Sequence, residues 1–135
     1  MLEIAAGPFT FHARLEEESA PATCAVLRRL LPLEGELLQA RWSGESAWVP
    51  LGDLDVGIGP ENANSYPAAG ELLLYPGGLS ETEILFPYGA TCFASKMGQL
   101  AGNHVATIVE GGESLRELGR LVLYDGAQPI RFAER

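Results

Sequence analysis

The residues with the clearest chemical potential are one arginine and a set of polar side chains in loops. An arginine offers a planar fork of donors that binds a carboxylate, and a nearby aromatic ring can stack on an apolar body. Arg41 with Tyr66 or Trp48 fits this pattern if the fold brings them to one face. The polar set that would share that face is Glu45, Glu61, Asn62, Tyr66, Tyr75, Glu81, Glu83, Lys96 and Gln99. Together these residues predict a groove for a small molecule or a peptide, although each acid taken alone is an ordinary surface charge.

Familiar catalytic motifs are missing from the sequence. Ser95 directly precedes Lys96, the only lysine, which is not the S-x-x-K spacing of a serine acyl-enzyme, and there is no G-x-S-x-G elbow. The pair Gly77 and Gly78 lacks the Lys-Ser/Thr that completes a phosphate-binding loop. The sequence therefore predicts neither a serine hydrolase nor a nucleotide-binding loop.

Cysteine and histidine spacing gives no metal motif. Cys24 and Cys92 are far apart and outside any C-x-x-C pair, which predicts reduced thiols. A zinc site would have to recruit His12 and His104 from unrelated segments, so we predict no metal and no cofactor. His104 lies in an alternating segment, where it is either a hydrogen-bonded core residue or a base that lines the groove.

Charge and length limit the kinds of partner. Eighteen acids against nine bases give a net charge of -9, which repels phosphate backbones and anionic membrane surfaces. Residues 1–7 lack the features of a signal peptide, and no apolar run reaches the ~20 residues that cross a bilayer. We therefore expect a cytoplasmic protein with no nucleic-acid or membrane partner. A chain of 135 residues that is 47% hydrophobic is predicted to form a single domain, residues 1–135.

The elements that must position these residues are mostly short strands, separated by 16 glycines and nine prolines. Within 35–51, two strands are predicted on either side of a turn at 43–46. Alternation and apolar runs predict further strands at 9–15, 53–58, 71–75, 83–86, 92–94, 104–110, 121–124 and 129–132. Residues 59–70 are predicted to form a long loop, a common place for a binding site.

Two helices complete the prediction. One spans 20–31, with Ser19 as its cap and Pro21 in its first turn. The other spans 114–118, where Ser114 and Glu117 have capping-box spacing and Gly119 stands at the end. The predicted fold class is mainly β: a closed barrel of about eight strands with two short capping helices.

Landmarks at both ends of the chain resemble cyclophilins. They are the segment 7–15 followed by Ala20-Pro21-Ala22-Thr23, and the segment 104–111 followed by the helix 114–118. In the middle, Glu61-Asn62 and the strand 69–74 stand where cyclophilins have a loop and a strand. Arg41-Trp42-Ser43-Gly44-Glu45, Tyr75-Pro76-Gly77-Gly78 and Pro87-Tyr88-Gly89 are more similar to the small bacterial cyclophilin-like domain families of unknown function. The resemblance spans nearly the whole chain and implies a cyclophilin-like barrel.

The resemblance also implies candidate catalytic residues. A prolyl isomerase needs a cationic donor near the prolyl nitrogen and an apolar proline pocket, roles that fall to Arg41 and Phe86. The sequence departs from the cyclophilin pattern, because Ala40 replaces a histidine and Val49-Pro50 stand where a glutamine is expected. In a competing interpretation, Arg41 is a half-exposed strand residue paired with an acid such as Glu45.

Three functional hypotheses therefore stay open. The first is a binding module that holds a small molecule or peptide through Trp48, Glu61, Asn62, Tyr66, Tyr75, Glu83 and His104. The second is a divergent peptidyl-prolyl isomerase that uses Arg41 and Phe86. The third is a metabolic enzyme for a small carboxylated substrate, which rests on the loop acids and His104. A homodimer is also predicted, through edge pairing of the apolar segment 121–124.

Overall fold

The computed structural model describes the whole chain, Met1–Arg135, and most of its elements are β-strands. The strands are β1 (Leu2–Ala6), β2 (Phe9–Leu15), β3 (Leu33–Gln39), β4 (Gly44–Gly52), β5 (Ala63–Asn64), β6 (Glu71–Tyr75), β7 (Thr82–Thr91), β8 (Ala94–Ser95), β9 (Gly98–Gln99), β10 (Gly102–Glu110) and β11 (Gln128–Glu134). The helices are α1 (Pro21–Leu30) and α2 (Leu115–Asp125), and a 3-10 turn at Gly112–Ser114 precedes α2.

Eight of these strands close into one antiparallel barrel. Going around it, each strand pairs with the next in the order β1, β2, β10, β6, β7, β4, β3, β11, and β11 pairs with β1. The pairing of β2 with β10, with Leu15 opposite Ala106, closes the ring. β5 pairs with β10, whereas β8 and β9 form a separate hairpin. The predicted fold class, a mainly β closed barrel of eight strands with two helices, is confirmed.

Side chains of β4, β6 and β7 alternate between two hydrophobic clusters. The main core of 24 buried residues includes Ala47, Val49, Leu72, Leu74, Ile84 and Phe86. Their neighbours Trp48, Leu73, Tyr75 and Leu85 belong to a second cluster with Phe93 and Leu100. Because successive strand residues point to opposite faces, the main core is the barrel interior and the second cluster lies on the outer face. Residues 92–100 cover that outer cluster.

Both helices bury an apolar face against the barrel interior. α1 contributes Cys24 and Leu27 to the main core, and α2 contributes Leu115, Leu118 and Val122. The α2 residues follow the i, i+3, i+7 spacing of one helical face. Strand and helix side chains thus share one core inside the barrel, and neither helix contributes to the cluster on the outer face.

The second helix is longer than the sequence predicts. It continues through Gly119 to Asp125, so both the predicted end at Gly119 and the strand at 121–124 are wrong. Gly119 is buried against the ring of Tyr88, and a Cβ at this position would overlap that ring. The glycine therefore permits a close helix–strand contact instead of ending the helix. The edge strand that suggested a homodimer is helical, and the homodimer itself stays a prediction.

The start of α1 is stabilised from another segment of the chain, and the predicted cap at Ser19 is wrong. Ala20 is the N-cap residue, and no side chain caps the helix at that position. The carboxylate of Glu61 instead accepts hydrogen bonds from the backbone N–H of Ala22 and from the N–H and hydroxyl of Thr23, the last at 2.7 Å. A negative charge at a helix N-terminus is favourable, and the bonds to Thr23 lower the pKa of Glu61.

Other predicted boundaries also change. β1 was not anticipated, although Leu2, Ile4 and Ala6 alternate into the core. The predicted strand at 53–58 is absent, and only Ala94–Ser95 is strand near the predicted 92–94. β7 continues past Pro87 because its pairing with β4 is irregular there, which accommodates a residue without a backbone N–H.

Neither helix has the length and apolar character needed to span a bilayer. Cys24 is buried, Cys92 is exposed, and both are free thiols. The thiol of Cys24 lies 3.7 Å from the carbonyl oxygen of Val105, and burial raises its pKa to about 11. Cys24 is therefore a protonated packing residue of α1.

Candidate functional site

A cavity of about 310 Å³ lies on the outer face of the barrel. We call it the outer cavity. Its walls come from the end of β3 and the following turn, from β4, from the start of β7 and from the β8–β9 hairpin: Leu38, Gln39, Ala40, Arg41, Trp42, Ser43, Trp48, Ser80, Glu83, Ala94, Ser95, Lys96 and Met97. Small-molecule sites span about 300–1,000 Å³, so this volume suits a compact organic molecule.

The hairpin that forms one wall is fixed to the barrel by Ser43. This serine is 3% exposed, and its hydroxyl donates to the carbonyl of Ala94 at 3.0 Å and accepts from the N–H of Ala94 at 3.1 Å. Phe93, immediately before the hairpin, packs edge-on against Tyr75 and donates its N–H to the carbonyl of Ser65. The hairpin base is therefore held on both sides, and its tip at Lys96 and Met97 lies at the cavity.

Glu83 is the acid of the outer cavity. In β7 it precedes the inward-facing Ile84, so it shares the outer face with Leu85. Tyr75 of β6 and Pro50 of β4 are its register partners. The residue is only 7% exposed, yet its carboxyl group forms no hydrogen bond or ion pair with the protein. It lines the outer cavity.

The surroundings of Glu83 favour its neutral form. Burial raises the pKa of the carboxyl group to about 8, and the negative charge of nearby Glu81 adds to the effect. Neither Arg41 nor Lys96 forms an ion pair with this carboxyl group. At neutral pH the empty cavity therefore contains a protonated acid at Glu83 and unpaired cations elsewhere.

Arg41 stands in the turn between β3 and β4 with its guanidinium free. Its Cζ lies 5.7 Å from the centre of the Trp42 ring, a cation–π contact. The expected partner Glu45 instead accepts a hydrogen bond from the N–H of Ala90 at 2.9 Å. The arginines that form ion pairs are Arg14, Arg28, Arg131 and Arg135. Arg41 is thus available to an anionic ligand.

The rim of the cavity carries further exposed groups. Trp42 is 51% exposed and Met97 is 68% exposed, which leaves apolar surface beside the opening. Lys96 also lines the cavity and takes part in no ion pair. Such rim residues gain most from a ligand that covers them, because burial of apolar area is favourable.

Gln39 is a polar wall residue held in place by its neighbours. Its amide oxygen accepts a hydrogen bond from the hydroxyl of Tyr88 at 2.8 Å, and its amide nitrogen donates to the carbonyls of Ala40 and Gly44. Tyr88 in turn packs on Gly119 of α2. The orientation of this wall residue therefore depends on the contact between α2 and the barrel.

Several residues predicted to bind a ligand lie together elsewhere, near the N-terminus of α1. Glu61 accepts the hydrogen bonds from the start of α1 described above. The side-chain amide of Asn62 donates a hydrogen bond to the carbonyl of His104 at 3.0 Å. His104 Nε2 lies 2.8 Å from the Thr107 hydroxyl, which itself donates to Glu16, so Nε2 is the donor. His104 is a half-buried, hydrogen-bonded structural residue outside the outer cavity.

Three predicted aromatic residues also lie away from the cavity lining. Tyr66 is 64% exposed, and its hydroxyl bonds to Gln99. Tyr75 supports the loop beside the cavity, since its hydroxyl accepts the N–H of Leu79 at 3.0 Å. Phe86 is fully buried in the barrel interior, packed against Phe11 at 5.8 Å. Of the residues predicted for one shared face, the structure brings Arg41, Trp48, Glu83 and Lys96 to the outer cavity.

The sequence prediction missed most of the cavity wall. The unpredicted lining residues are Leu38, Gln39, Ala40, Ser43, Ser80, Ala94, Ser95 and Met97. Most are small or flexible residues whose types carry no signal of binding. The sequence of β7 did carry one, since Glu83 is the only charged residue in the buried run from Thr82 to Pro87. An acid at such a position is exceptional and points to a polar site.

Comparison with known proteins identifies a family and a shared fold. Residues 2–134 match the family described as "Protein of unknown function (DUF3830)", and the chain belongs to it. The structure of McbB in complex with tryptophan has a TM-score of 0.79 at 20% identity, covering 100% of this chain and 45% of McbB. The solution structure of the hypothetical protein AF2241 from Archaeoglobus fulgidus has a TM-score of 0.62 at 20% identity, covering 99% and 93%.

No curated protein matches the sequence. The chain spans less than half the length of McbB, and an identity of 20% establishes a shared fold alone. Neither solved structure is described as a cyclophilin or an isomerase, so the cyclophilin resemblance stays a prediction.

Proposed function

We propose that this member of the DUF3830 family binds a small carboxylated molecule with an aromatic or apolar body in the outer cavity. The observation that carries the proposal is that an unpaired guanidinium, Arg41, and two indole rings, Trp42 and Trp48, line one concave surface of suitable size.

The carboxylate is assigned to Arg41 because of charge and geometry. A guanidinium forms two parallel hydrogen bonds to a carboxylate, and Lys96 supplies a second positive charge along the same lining. Hydrogen bonds to charged groups contribute about 1.5–3 kcal/mol each. One such bond is enough to change affinity by about 10-fold to 100-fold.

The apolar body is assigned to the tryptophan rings. Trp48 is half-buried on β4 and belongs to the outer cluster, so it provides a fixed wall. Trp42 and Met97 are exposed at the rim and provide surface that a ligand would cover. Flat rings stack well on indoles, with about 0.5–1.5 kcal/mol for a good aromatic pair.

The McbB structure suggests which probes to use first. That protein is described in complex with tryptophan, a molecule with an indole body and a carboxylate. The match covers 45% of the McbB chain, so the binding of tryptophan is a property of McbB and not of this protein. The similarity in fold nevertheless makes tryptophan and its simpler relative indole-3-propionate rational first probes for the outer cavity.

Isothermal titration calorimetry with these two indoles tests the proposal. We expect at least one of them to bind to the wild-type protein, and Arg41→Gln to lower its affinity about 10-fold to 100-fold. The matched control is Arg116→Gln, because Arg116 is exposed on α2 and lies outside the cavity. We expect the control to bind as the wild type does. Absence of binding by both indoles at millimolar concentration would contradict the proposal.

A further inference from the structure

The charged groups of the outer cavity come from three different segments of the chain. Glu83 is buried on the outer face of β7, whereas Arg41 follows β3 and Lys96 lies at the tip of the hairpin. No ion pair joins the acid to either cation. A ligand that fills the cavity thus meets positive charge in one place and a carboxyl group in another.

We infer that the ligand is amphoteric: beside the carboxylate that Arg41 binds, it carries an ammonium group that pairs with Glu83. This inference rests on the proposed function and narrows it to one chemical class, small amino acids or amino-acid-like zwitterions with an apolar body.

The absence of a protein partner for Glu83 is the geometric basis of the inference. The other buried polar side chains are hydrogen-bonded within the protein; for example, Thr82 donates to the carbonyl of Leu54 at 2.7 Å and Asn103 donates to the carbonyl of Gly59 at 3.0 Å. Glu83 is 7% exposed and lines the cavity, yet its carboxyl group has no partner within the protein. Buried polar groups normally have a partner, so a ligand group is the natural one here.

An ammonium group fits this position better than a neutral donor. It brings a positive charge that compensates the desolvated carboxylate, and its N–H groups form charge-assisted hydrogen bonds. A second carboxylate on the ligand brings no such charge, and the negative charge of Glu81, which acts on Glu83, disfavours an anion at this position. The charge distribution thus selects both the kind of group and its place in the ligand.

Pairing with an ammonium group changes the protonation of Glu83. The groups around this carboxyl are Tyr75 on β6, Glu81 before β7, and Arg41 and Lys96 across the cavity. Because its pKa is about 8, Glu83 carries its proton at pH 7 in the empty protein. A ligand that arrives as R–NH3+ pairs with the carboxylate, and the proton of the carboxyl group passes to solvent. No bond of the ligand is broken, and close to one proton is released per ligand bound at pH 7.

Calorimetry in two buffers of different ionisation enthalpy, phosphate and Tris, measures that proton. The probes are tryptophan, which has the ammonium group, and indole-3-propionate, which lacks it. For the wild-type protein at pH 7 we expect tryptophan to bind at least 10-fold more tightly and to release close to one proton, whereas indole-3-propionate releases none. Glu83→Gln should lose both the preference and the proton release, and a far-UV circular dichroism spectrum that matches wild type shows that the variant is folded.

The outcomes separate the two proposals. Binding of indole-3-propionate as tightly as tryptophan overturns the inference and leaves the proposed function in place. Tryptophan binding without proton release, or with affinity unchanged in Glu83→Gln, likewise overturns it. If neither indole binds to the wild-type protein, the proposed function fails, and the inference that rests on it fails as well.

Discussion

Replacing Glu83 with glutamine should stabilise the protein, and the gain should grow as the pH rises. The carboxyl group has a pKa of about 8 in the folded protein against 4.5 as its ordinary value. The folded state therefore binds the proton more tightly than the unfolded state does between these two values. In that range the wild-type protein loses stability as the pH increases, because folding then requires the uptake of a proton. Glutamine has the same shape and no proton to bind, so the variant lacks this loss.

The size of the effect follows from the pKa difference. Each pKa unit corresponds to about 1.4 kcal/mol. The burial of Glu83 therefore costs the wild-type protein about 1 kcal/mol at pH 5, about 3 kcal/mol at pH 7 and about 5 kcal/mol at pH 9. Domains of this size are stable by about 5–15 kcal/mol, so the change is large enough to measure.

Urea unfolding of the wild-type protein and Glu83→Gln at pH 5, 7 and 9, followed by far-UV circular dichroism, provides the test. The matched control is Glu36→Gln, because Glu36 is exposed on β3 and takes part in no ion pair. The free energy of unfolding of the control should differ from wild type by less than about 0.5 kcal/mol at each pH. If the difference between wild type and Glu83→Gln is the same at all three values, the carboxyl group is not desolvated and the reasoning is wrong.

Three other predictions concern the framework of the site and the isomerase hypothesis. Gly119→Ala should destabilise the protein by about 1–3 kcal/mol in urea unfolding, because the new Cβ meets the Tyr88 ring. Gly112→Ala is the control, because open space surrounds Gly112, and it should not destabilise the protein. Equal effects of the two substitutions would refute the close contact. Ser43→Ala should lower the free energy of unfolding by about 1 kcal/mol and weaken indole binding, and unchanged affinity would show that the hairpin is positioned without it. The wild-type protein should not accelerate cis–trans isomerisation in a protease-coupled proline-peptide assay, since Phe86 is buried away from Arg41; acceleration that Arg41→Ala abolishes would contradict this.

The fold class was predictable because the barrel depends on patterns that a sequence displays. Alternation at 9–15 and apolar runs at 71–75 and 83–86 correspond to β2, β6 and the start of β7. The segment after Gly119 was not predictable in this way. Its residues have an apolar run that suits a strand, and the helix there depends on the packing of Leu118 and Val122 in a core formed by distant strands.

The site was predictable only in part, for a related reason. Arg41, Trp48 and Glu83 have side chains that suggest recognition, and they do line one cavity. Glu61 and His104 are residue types that suggest recognition equally well. In the structure, however, Glu61 stabilises the start of α1, and His104 is hydrogen-bonded to Thr107. The difference lies in which strand face and which loop each residue occupies, and this depends on long-range pairing that no local pattern records.

The separation of the outer cavity from the barrel interior has a consequence for how such proteins diverge. Trp48 and Val49 are neighbours in β4, yet one belongs to the ligand wall and the other to the core that keeps the barrel closed. Substitutions at exposed wall positions such as Trp42 can therefore accumulate with little loss of folding stability, and the hairpin tip at Lys96 and Met97 can vary in sequence independently of the core. Selection can thus alter ligand preference without rebuilding the scaffold, so the wall residues and not the core are the positions at which members of the family should be compared to infer what each one binds.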